Sequence, residues 1–194
     1  MTDLKCEVTY FERGGPNNTD KTLAIAKKYA EEFNINDIII ASKTGTTAEK
    51  AADQFDLEKY NIVIITHAYY FLGSKKRQEF PEDKLEILKS KGLKILTGTH
   101  SMGGIERGIR KSFKQWGFIE LLAQFLRAQF SQGVKVCIEI GSMAVDGGLI
   151  PDLDRDILCI GGTGRGADTV CLIKPAPTSE FEKLRVKAIL AKPL

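Results

Sequence analysis

The stretch Asp37–Ala48, DIIIASKTGTTA, joins an apolar run of β-branched residues to a short loop that is rich in hydroxyl groups. The run predicts a buried strand over 37–41, and residues 47–55 have the pattern of a helix. The loop between them, Ser42–Thr47, contains a serine, three threonines and one glycine. A strand followed at once by a helix is the repeating unit of an α/β protein. The open question is whether this loop only connects the two elements or also binds an anion.

Strand-like and helix-like segments alternate along the rest of the chain. The predicted strands are 6–11, 37–41, 61–66, 93–97, 134–140, 157–160 and 169–173. The predicted helices are 20–33, 47–55, 81–91, 105–111 and 116–132, the last one with Gly133 as its C-terminal cap. Most of the strand-like runs are continuously apolar, which indicates burial on both faces of a mostly parallel sheet between layers of helices. The chain is predicted to form a single α/β domain over residues 1–194.

The composition argues against nucleic acid and membranes as partners. A net charge of +3, spread along the sequence, gives no clustered basic face for nucleic acid. No apolar stretch reaches the ~18 residues that a membrane span needs, and the N-terminal residues lack the apolar core of a signal peptide. The four cysteines have neither metal-ligand nor redox spacing, which predicts reduced, buried thiols in a cytoplasmic protein. The basic run 75–77 is predicted to be a solvated loop.

Loop 42–47 has the parts of an anion-binding site. Ligands of parallel α/β sheets bind beyond the carboxyl ends of the strands, where this loop lies. The N–H groups at the start of a helix are unpaired and lie at the positive end of the helix dipole, and Gly45 would let the backbone approach a ligand closely. The spacing is not that of a P-loop. The alternative interpretation is that Thr46 or Thr47 simply caps the helix, and the loop alone does not decide between the two.

A second glycine-rich segment, Gly162–Ala167, loosely matches a dinucleotide-binding fingerprint. A fingerprint loop must open a helix, but here the strand-like segment 169–173 follows almost at once. The segment is therefore interpreted as a tight connection between two strands. Its Arg165 either faces solvent or reaches an anionic ligand, and the sequence leaves both possibilities open.

The two histidines and one acidic residue are the remaining candidates. His67 and His100 each follow a threonine just beyond a predicted strand, a position that suits a hydrogen bond to a ligand or a structural use. No third residue has metal-ligand spacing, so no metal site is predicted. Glu139 interrupts an apolar segment and should need an ionic or hydrogen-bond partner if it is buried. The aromatic residues 69–71 are interpreted as packing residues, and no nucleophile beside a base indicates a hydrolase.

Loop 42–47, between its strand and its helix, resembles the C-terminal α/β domain of pyruvate kinase, in which a Lys-Ser-Gly-like loop holds a phosphate of the allosteric sugar bisphosphate. Over nearly its whole length the chain is similar to a family of stand-alone proteins that are built on that domain and are associated with flavin mononucleotide (FMN). The further segments that carry this resemblance are Gly15–Thr19, His100 with Gly104–Arg107, Glu139–Gly148, Gly161–Thr169 and Pro175–Ala176.

The resemblance implies a three-layer α/β/α sandwich whose mostly parallel sheet contains one antiparallel strand. It places strand 37–42 beside strand 134–140, with loop 42–47 opposite Gly141–Met143. It also implies FMN as the cofactor, with its phosphate held by loop 42–47. The residues expected to bind FMN are Ser42, Lys43, Thr44, Gly45, Thr46, Thr47, Thr66, His67, His100, Gly141, Ser142, Met143, Gly162, Arg165 and Gly166.

The expected function is the binding of FMN, a phosphate ester, by a sensing or regulatory module, and a homo-oligomer is compatible with it. The catalytic barrel of pyruvate kinase is absent from the chain, so pyruvate kinase activity is not expected and no catalytic residue is assigned. The alternative is a flavin-dependent oxidoreductase of unknown substrate, because a flavin supplies the redox chemistry itself. A phosphoryl-transfer enzyme would need metal-binding carboxylates beside the loop, and the sequence has no such cluster there.

Overall fold

In the computed structural model, which describes residues 3, 5–75 and 79–194, one seven-stranded sheet lies between two layers of helices. The strands are β1 Thr9–Phe11, β2 Asp37–Ala41, β3 Asn61–Thr66, β4 Lys94–Thr97, β5 Ile157–Gly161, β6 Thr169–Lys174 and β7 Arg185–Pro193. The α-helices of the described residues are α1 Thr19–Glu32, α2 Thr46–Gln54, α3 Glu82–Ser90, α4 Gly104–Phe113, α5 Phe118–Gln129 and α6 Gln132–Asp146. The sheet order is β1-β7-β6-β5-β2-β3-β4. The predicted three-layer α/β/α architecture is confirmed.

Six strands of this sheet run in one direction and β6 runs in the other. β2 is parallel to both of its neighbours, β3 and β5, whereas β6 is antiparallel to β5 and to β7. The predicted mostly parallel sheet with one antiparallel strand is therefore confirmed. Ile38 and Ile40 pack into the core on one face of the sheet and Ile39 into the core on the other, and all three are fully buried. Burial on both faces explains why β2 is apolar without alternation.

The prediction of a strand over 134–140 is wrong, because these residues lie in α6. Ser131 caps this helix, its hydroxyl oxygen accepting a hydrogen bond from the N–H of Val134 at 3.1 Å. The helix packs between the sheet and α5, and most of its residues are buried. A helix without a broad polar stripe cannot be distinguished by periodicity from a buried strand. Gly133 accordingly lies inside α6 and does not cap α5, which ends at Gln129.

This correction changes the neighbour of β2 at the centre of the sheet. The strand beside it is β5, paired in the register Ile39 to Cys159. The chain leaves β2 towards β3 and leaves β5 towards β6, in opposite directions along the sheet. The gap between the carboxyl ends of β2 and β5 is therefore the topological switch point, where ligands of such sheets bind.

The last strand, β7, was not predicted. It lies between β6 and β1, and its exposed and part-buried residues alternate at first before a buried pair near its end. The apolar run that marks the other strands is interrupted here by Lys187 and Lys192. A single strand with basic residues at these positions resembles a solvated segment in composition, although it is paired on both sides.

The cysteines of the described chain are all free thiols. Cys137, Cys159 and Cys171 are buried as predicted, whereas Cys6 is partly exposed. Within the described ranges, no helix combines the length and the apolar character needed to cross a bilayer. Of the basic run 75–77, Lys75 is exposed, as a solvated loop requires, and the other two residues lie outside the described residues.

Candidate functional site

Loop 42–47 turns the chain sharply from β2 into α2. Ser42 continues the sheet, because its N–H donates to the carbonyl of Ile65 at 3.0 Å, and its hydroxyl accepts from the N–H of Ala48 at 3.3 Å. The N-cap of α2 is Gly45, which has no side chain to cap the helix, so the Ser42 hydroxyl is the side-chain acceptor in its first turn. Within the described part of the chain, the N–H groups of residues 43–47 have no acceptor. The loop therefore presents unpaired donors at the positive end of a helix, and the interpretation of Thr46 or Thr47 as its cap is not supported.

Gly45 is required by the backbone and by packing against α3. Its φ angle of +85° lies in the left-handed region that glycine adopts without strain. A Cβ atom at this position would lie 2.2 Å from the Cδ of Lys84 and 3.0 Å from the Cε1 of Phe80. The glycine shapes the turn from behind and does not itself line the cavity described next.

A cavity of about 590 Å³ opens at the switch point, beyond the carboxyl ends of β2, β3 and β5. Ten of the fifteen residues predicted to bind FMN line it: Ser42, Lys43, Thr44, Thr46, Thr47, His67, His100, Gly162, Arg165 and Gly166. The sequence did not indicate further charged and amide-bearing residues of its wall: Lys50, Arg107, Arg127, Gln132 and Lys135. Its size falls within the range of small-molecule and cofactor sites.

Four other predicted residues do not belong to this wall. Gly141, Ser142 and Met143 lie in the middle of α6 and not at a strand end, so they cannot face loop 42–47 as expected. The Ser142 hydroxyl is fully buried and donates to the carbonyl of Glu139 at 3.0 Å. Thr66 is the last residue of β3, almost wholly buried in the sheet. Gly141–Met143 were assigned to the loop after the predicted strand 134–140, which proved to be part of α6, and Thr66 precedes by one residue the position that does line the cavity, His67.

The loop 162–166 is the element that faces loop 42–47. As predicted, it is a tight connection between two strands, closed by a hydrogen bond from the Asp168 N–H to the Gly161 carbonyl at 3.0 Å. The fully buried carboxylate of Asp168 accepts from the N–H of Gly15 at 2.8 Å and from that of Thr163 at 3.0 Å. This carboxylate fixes the loop to the N-terminal segment of the chain. Arg165 is exposed at the rim of the cavity, within reach of an anion inside it.

The wall of the cavity is strongly basic. Its Lys and Arg residues are Lys43, Lys50, Arg107, Arg127, Lys135 and Arg165, and Glu139 is the only carboxylate among its described lining residues. The three lysines have acidic partners, at distances between 2.5 and 3.6 Å. None of the ion pairs between described residues involves one of the three arginines, although the charges of Glu139 and Glu120 act on Arg127 from a greater distance. The resulting positive potential favours an anionic ligand.

Glu139 is held by three groups on the floor of the cavity. It is buried, its Oε2 atom lies 2.5 Å from the Nζ atom of Lys135 and 4.0 Å from Nδ1 of His100, and its Oε1 atom accepts from the N–H of Met102 at 3.0 Å. The prediction that a buried Glu139 needs partners is confirmed. Burial alone would raise the pKa of this carboxyl group, but the positive charge of Lys135, supported by His100 and by the hydrogen bonds from Lys135 and Met102, outweighs burial and holds the pKa below its usual value. Burial lowers the pKa of Lys135, and the charge of Glu139 opposes that shift.

The two histidines form one aromatic cluster with Phe71. The ring centroid of His67 lies 4.0 Å from that of Phe71 and 5.0 Å from that of His100, and the guanidinium of Arg107 lies 4.7 Å above the Phe71 ring. Burial, followed by the charges of His100 and Lys43, lowers the pKa of His67 to about 4. Burial also lowers the pKa of His100, against the attraction of Glu139. Both imidazoles are therefore neutral at pH 7 and can donate or accept a hydrogen bond.

Sequence reasoning missed most of this basic wall for one reason. Arg107, Arg127 and Lys135 come from three successive helices, and no short motif links them. The spacing of Lys135 and Glu139, four residues apart, would have indicated a pair on one helix face if the segment had been recognised as a helix. In the described residues, no three His, Cys, Asp or Glu side chains are grouped as a metal ion would require. Comparison of the chain with models of known protein families finds no match.

Proposed function

We propose that this protein binds FMN, or a closely similar phosphate ester, with the phosphate at loop 42–47. The observation that carries the proposal is the row of unpaired N–H groups at the start of α2, which opens into a basic cavity at the switch point of the sheet. A phosphate at a helix N-terminus is stabilised both by these donors and by the helix dipole. The resemblance to FMN-associated proteins supports a flavin as the rest of the ligand.

The residues of the cavity fit the two ends of FMN. The phosphate would be held by the N–H groups of 43–47, the hydroxyls of Thr44 and Thr46, and the side chains of Lys43 and Arg165. The aromatic cluster of His67, Phe71 and His100 offers flat surfaces and neutral hydrogen-bonding groups for a ring system. When bound, a flavin supplies the capacity to accept and return electrons or a hydride.

A glutamate at position 46 would test the phosphate position without disturbing the fold. Thr46 is exposed and is the first residue of α2, where an acidic side chain favours the helix through its dipole. The Thr46→Glu change should repel the phosphate, and the loss of two charge-assisted hydrogen bonds at ~1.5 kcal/mol each corresponds to a roughly 100-fold weaker affinity. In Thr46→Gln the new side chain has nearly the same size as glutamate but no charge, so this variant serves as the matched control.

The measurement is a titration of each variant with FMN and with riboflavin, which lacks the phosphate, followed by flavin fluorescence. We expect wild-type protein to bind FMN much more tightly than riboflavin, and Thr46→Glu to abolish that preference. Thr46→Gln should retain it. If Thr46→Glu binds FMN as the wild type does, the phosphate does not lie at loop 42–47. If no variant binds either flavin, the flavin proposal itself is wrong.

A flavin-dependent oxidoreductase is the second candidate function. The ionisable groups Lys135, Glu139 and His100 line the same cavity and could hold or move a proton beside a reacting molecule. Stopped-flow mixing of the flavin-loaded protein with NADH or NADPH separates the two candidates. Bleaching of the flavin absorption would favour the enzyme, and a flavin that neither donor reduces would favour the binding or regulatory module.

A further inference from the structure

The helices α4, α5 and α6 place a cluster of cationic side chains on one side of the cavity. Arg107 comes from α4, Arg127 from α5 and Lys135 from α6. Among the described residues that line the cavity, Glu139 is the only carboxylate, and it is already bound to Lys135 at 2.5 Å. The two arginines repel each other, and burial lowers the pKa of Arg127 despite the attraction of Glu139 and Glu120, an arrangement that favours binding of an anion.

Arg107 carries a buried donor that has no acceptor. Its Nε atom is buried and makes no hydrogen bond, although its guanidinium is stacked above Phe71. Buried polar groups are nearly always paired, so an unpaired charged donor at a cavity wall indicates a position that a ligand satisfies. Arg127 is held in place by the side-chain oxygens of Gln132, at 2.6 Å from Nε, and of Gln124, at 3.2 Å from Nη1.

This cluster is separate from the phosphate position at loop 42–47. Loop 42–47 leads into α2, which packs on one face of the sheet with α1, whereas α6 and the residues of α5 pack on the other face. Between them, the rings of His67 and His100 form part of the wall. A single phosphate at the start of α2 accounts for the donors of loop 42–47 and leaves the two arginines of the other layer without an anion.

We propose that Arg107 and Arg127 form a second anion subsite, which binds the carboxylate or phosphate group of a molecule separate from FMN. This inference rests on the proposed function, because it takes the first phosphate to be that of FMN. The planar guanidinium groups suit the oxygen pairs of carboxylates and phosphates. The subsite gives the protein a second ligand, an anionic metabolite bound in the same cavity as the flavin.

Inorganic phosphate is the probe that tests the subsite, by isothermal titration calorimetry. We expect the flavin-free protein to bind two phosphates and the FMN-loaded protein to bind one. Arg107→Gln and Arg127→Gln should each weaken the phosphate that remains in the FMN-loaded protein by about tenfold or more. Lys111→Gln removes an exposed charge from the same helix as Arg107 and should leave that binding nearly unchanged.

The two proposals fail in different ways. If the FMN-loaded protein binds no phosphate, or if the arginine variants bind it as the wild type does, the second subsite is wrong while FMN binding stands. If FMN does not bind, the flavin proposal is wrong, and the subsite is then tested in the Thr46→Glu variant, in which the phosphate position at loop 42–47 is blocked. The subsite stands if Thr46→Glu still binds one phosphate and the double variant Thr46→Glu/Arg107→Gln binds none. It is wrong if Thr46→Glu binds no phosphate.

The outer surfaces of α4 and α5 are unusually apolar. These helices and the short segment between them expose a face of large apolar side chains, the α4–α5 face, which consists of Ile105, Ile109, Phe113, Trp116, Phe118, Leu121 and Phe125. The exposed fractions reach 83% for Ile105, 71% for Phe113 and 74% for Phe118. The residues of α4 recur every four positions and those of α5 every three or four, so each set forms a stripe along its helix.

The opposite sides of these helices are fixed by polar contacts, so the α4–α5 face is held in place. The buried carboxylate of Glu120 binds the guanidinium of Arg110 at 2.6 Å, and the N–H of Glu120 donates to the carboxylate of Glu106 at 2.9 Å. At roughly 200 Å² for a large apolar side chain, the exposed fractions give a surface on the order of 800 Å². The largest apolar patch of a typical monomer is ~300–600 Å², and each side of a stable protein–protein interface buries about 800 Å².

We infer that a second copy of this chain covers the α4–α5 face, forming a two-fold dimer in which the helix pairs pack on each other. Sedimentation equilibrium at micromolar concentration tests this. We expect a dimer for the wild type, a monomer for the double variant Phe118→Glu/Phe125→Glu with an unchanged circular dichroism spectrum, and a dimer for Tyr70→Glu, which alters an exposed aromatic residue outside the face. A monomeric wild type, or a dimer that the double variant leaves intact, would overturn the inference. A monomer that co-sediments with phosphatidylglycerol vesicles would assign the face to a membrane surface instead.

Discussion

The buried ion pair of Lys135 and Glu139 gives the most quantitative prediction about this protein. The two side chains retain only 2% and 4% of their exposure, and their charged atoms lie 2.5 Å apart. Replacing Lys135 by Met removes one charge and leaves the carboxylate of Glu139 buried. Removal of one partner from such a pair lowers the free energy of unfolding by about 3–5 kcal/mol, because the remaining charge loses its compensation. The variant Lys135→Met should therefore be far less stable than the wild type at pH 7.

The pH dependence of this loss has a definite sign. In the wild type, the pKa of Glu139 lies below its unfolded value, so its stabilising contribution is present above the unfolded pKa and is lost as the pH falls through the folded pKa. In Lys135→Met, the positive charge that outweighed burial is gone, so burial raises the pKa of Glu139 in the folded state above its unfolded value. The variant then loses stability as the pH rises through that raised pKa. The difference between wild type and variant should therefore be larger at pH 8 than at pH 5, because only the variant loses stability over that range, and it should shrink further only when the pH falls below the ordinary pKa of a glutamate.

Urea denaturation at a series of pH values between 5 and 8 measures this difference. The double variant Lys135→Met/Glu139→Gln removes both charges while keeping an acceptor for the N–H of Met102, and it should recover most of the lost stability. Lys187→Met breaks an exposed pair with Asp156 and should change the free energy of unfolding by less than about 1 kcal/mol. A loss for Lys135→Met that is below about 1 kcal/mol, or that does not vary with pH, would refute the argument from burial.

Three further predictions concern other parts of the site. The NMR titration of His67 should have its midpoint at a pH of about 4, and a midpoint near 6.5 would contradict the burial of this side chain. Because the folded pKa lies below the unfolded value of 6.5, neutral His67 contributes to stability above pH 6.5, and this contribution is lost as the pH falls towards the folded pKa. Gly45→Ala should lower the free energy of unfolding by ~1–3 kcal/mol through its positive φ angle and its contact with Lys84, whereas Gly108→Ala, on an open helix surface, should not destabilise. Asp168→Asn replaces a fully buried carboxylate oxygen that accepts two backbone N–H groups, and thermal unfolding should register a loss of ~1–3 kcal/mol.

The elements predicted correctly are those whose ends are marked in the sequence by a clear change from apolar to polar residues. The strand Asp37–Ala41 is an unbroken apolar run that ends at a loop of hydroxyl residues, and the structure has the same bounds. The strand Asn61–Thr66 is likewise as predicted. In both cases the local pattern and the tertiary burial agree, because a central parallel strand is covered on both faces.

The errors arise where burial removes the local pattern. Helix α6 lies between the sheet and α5, so the polar stripe that identifies a surface helix is reduced to a few residues such as Lys135 and Glu139. Glu139 was interpreted as an interruption of a strand because its partners come from the fold and not from the neighbouring sequence. The same misassignment placed Gly141–Met143 at the site, whereas the residues facing the cavity from α6 are earlier in the helix.

The cavity explains features that stability alone does not. A buried ion pair contributes little more to stability than apolar residues of the same volume would, and the positive charges of Arg107 and Arg127 repel each other. Because each of these groups lines the cavity, their common property is access to whatever binds there. The variant Lys135→Met/Glu139→Gln separates the two effects. If the charges act on a ligand, this variant should unfold nearly as the wild type does and yet bind inorganic phosphate more weakly in the FMN-loaded state. Equal phosphate binding in the double variant and the wild type would mean that the pair only completes the core.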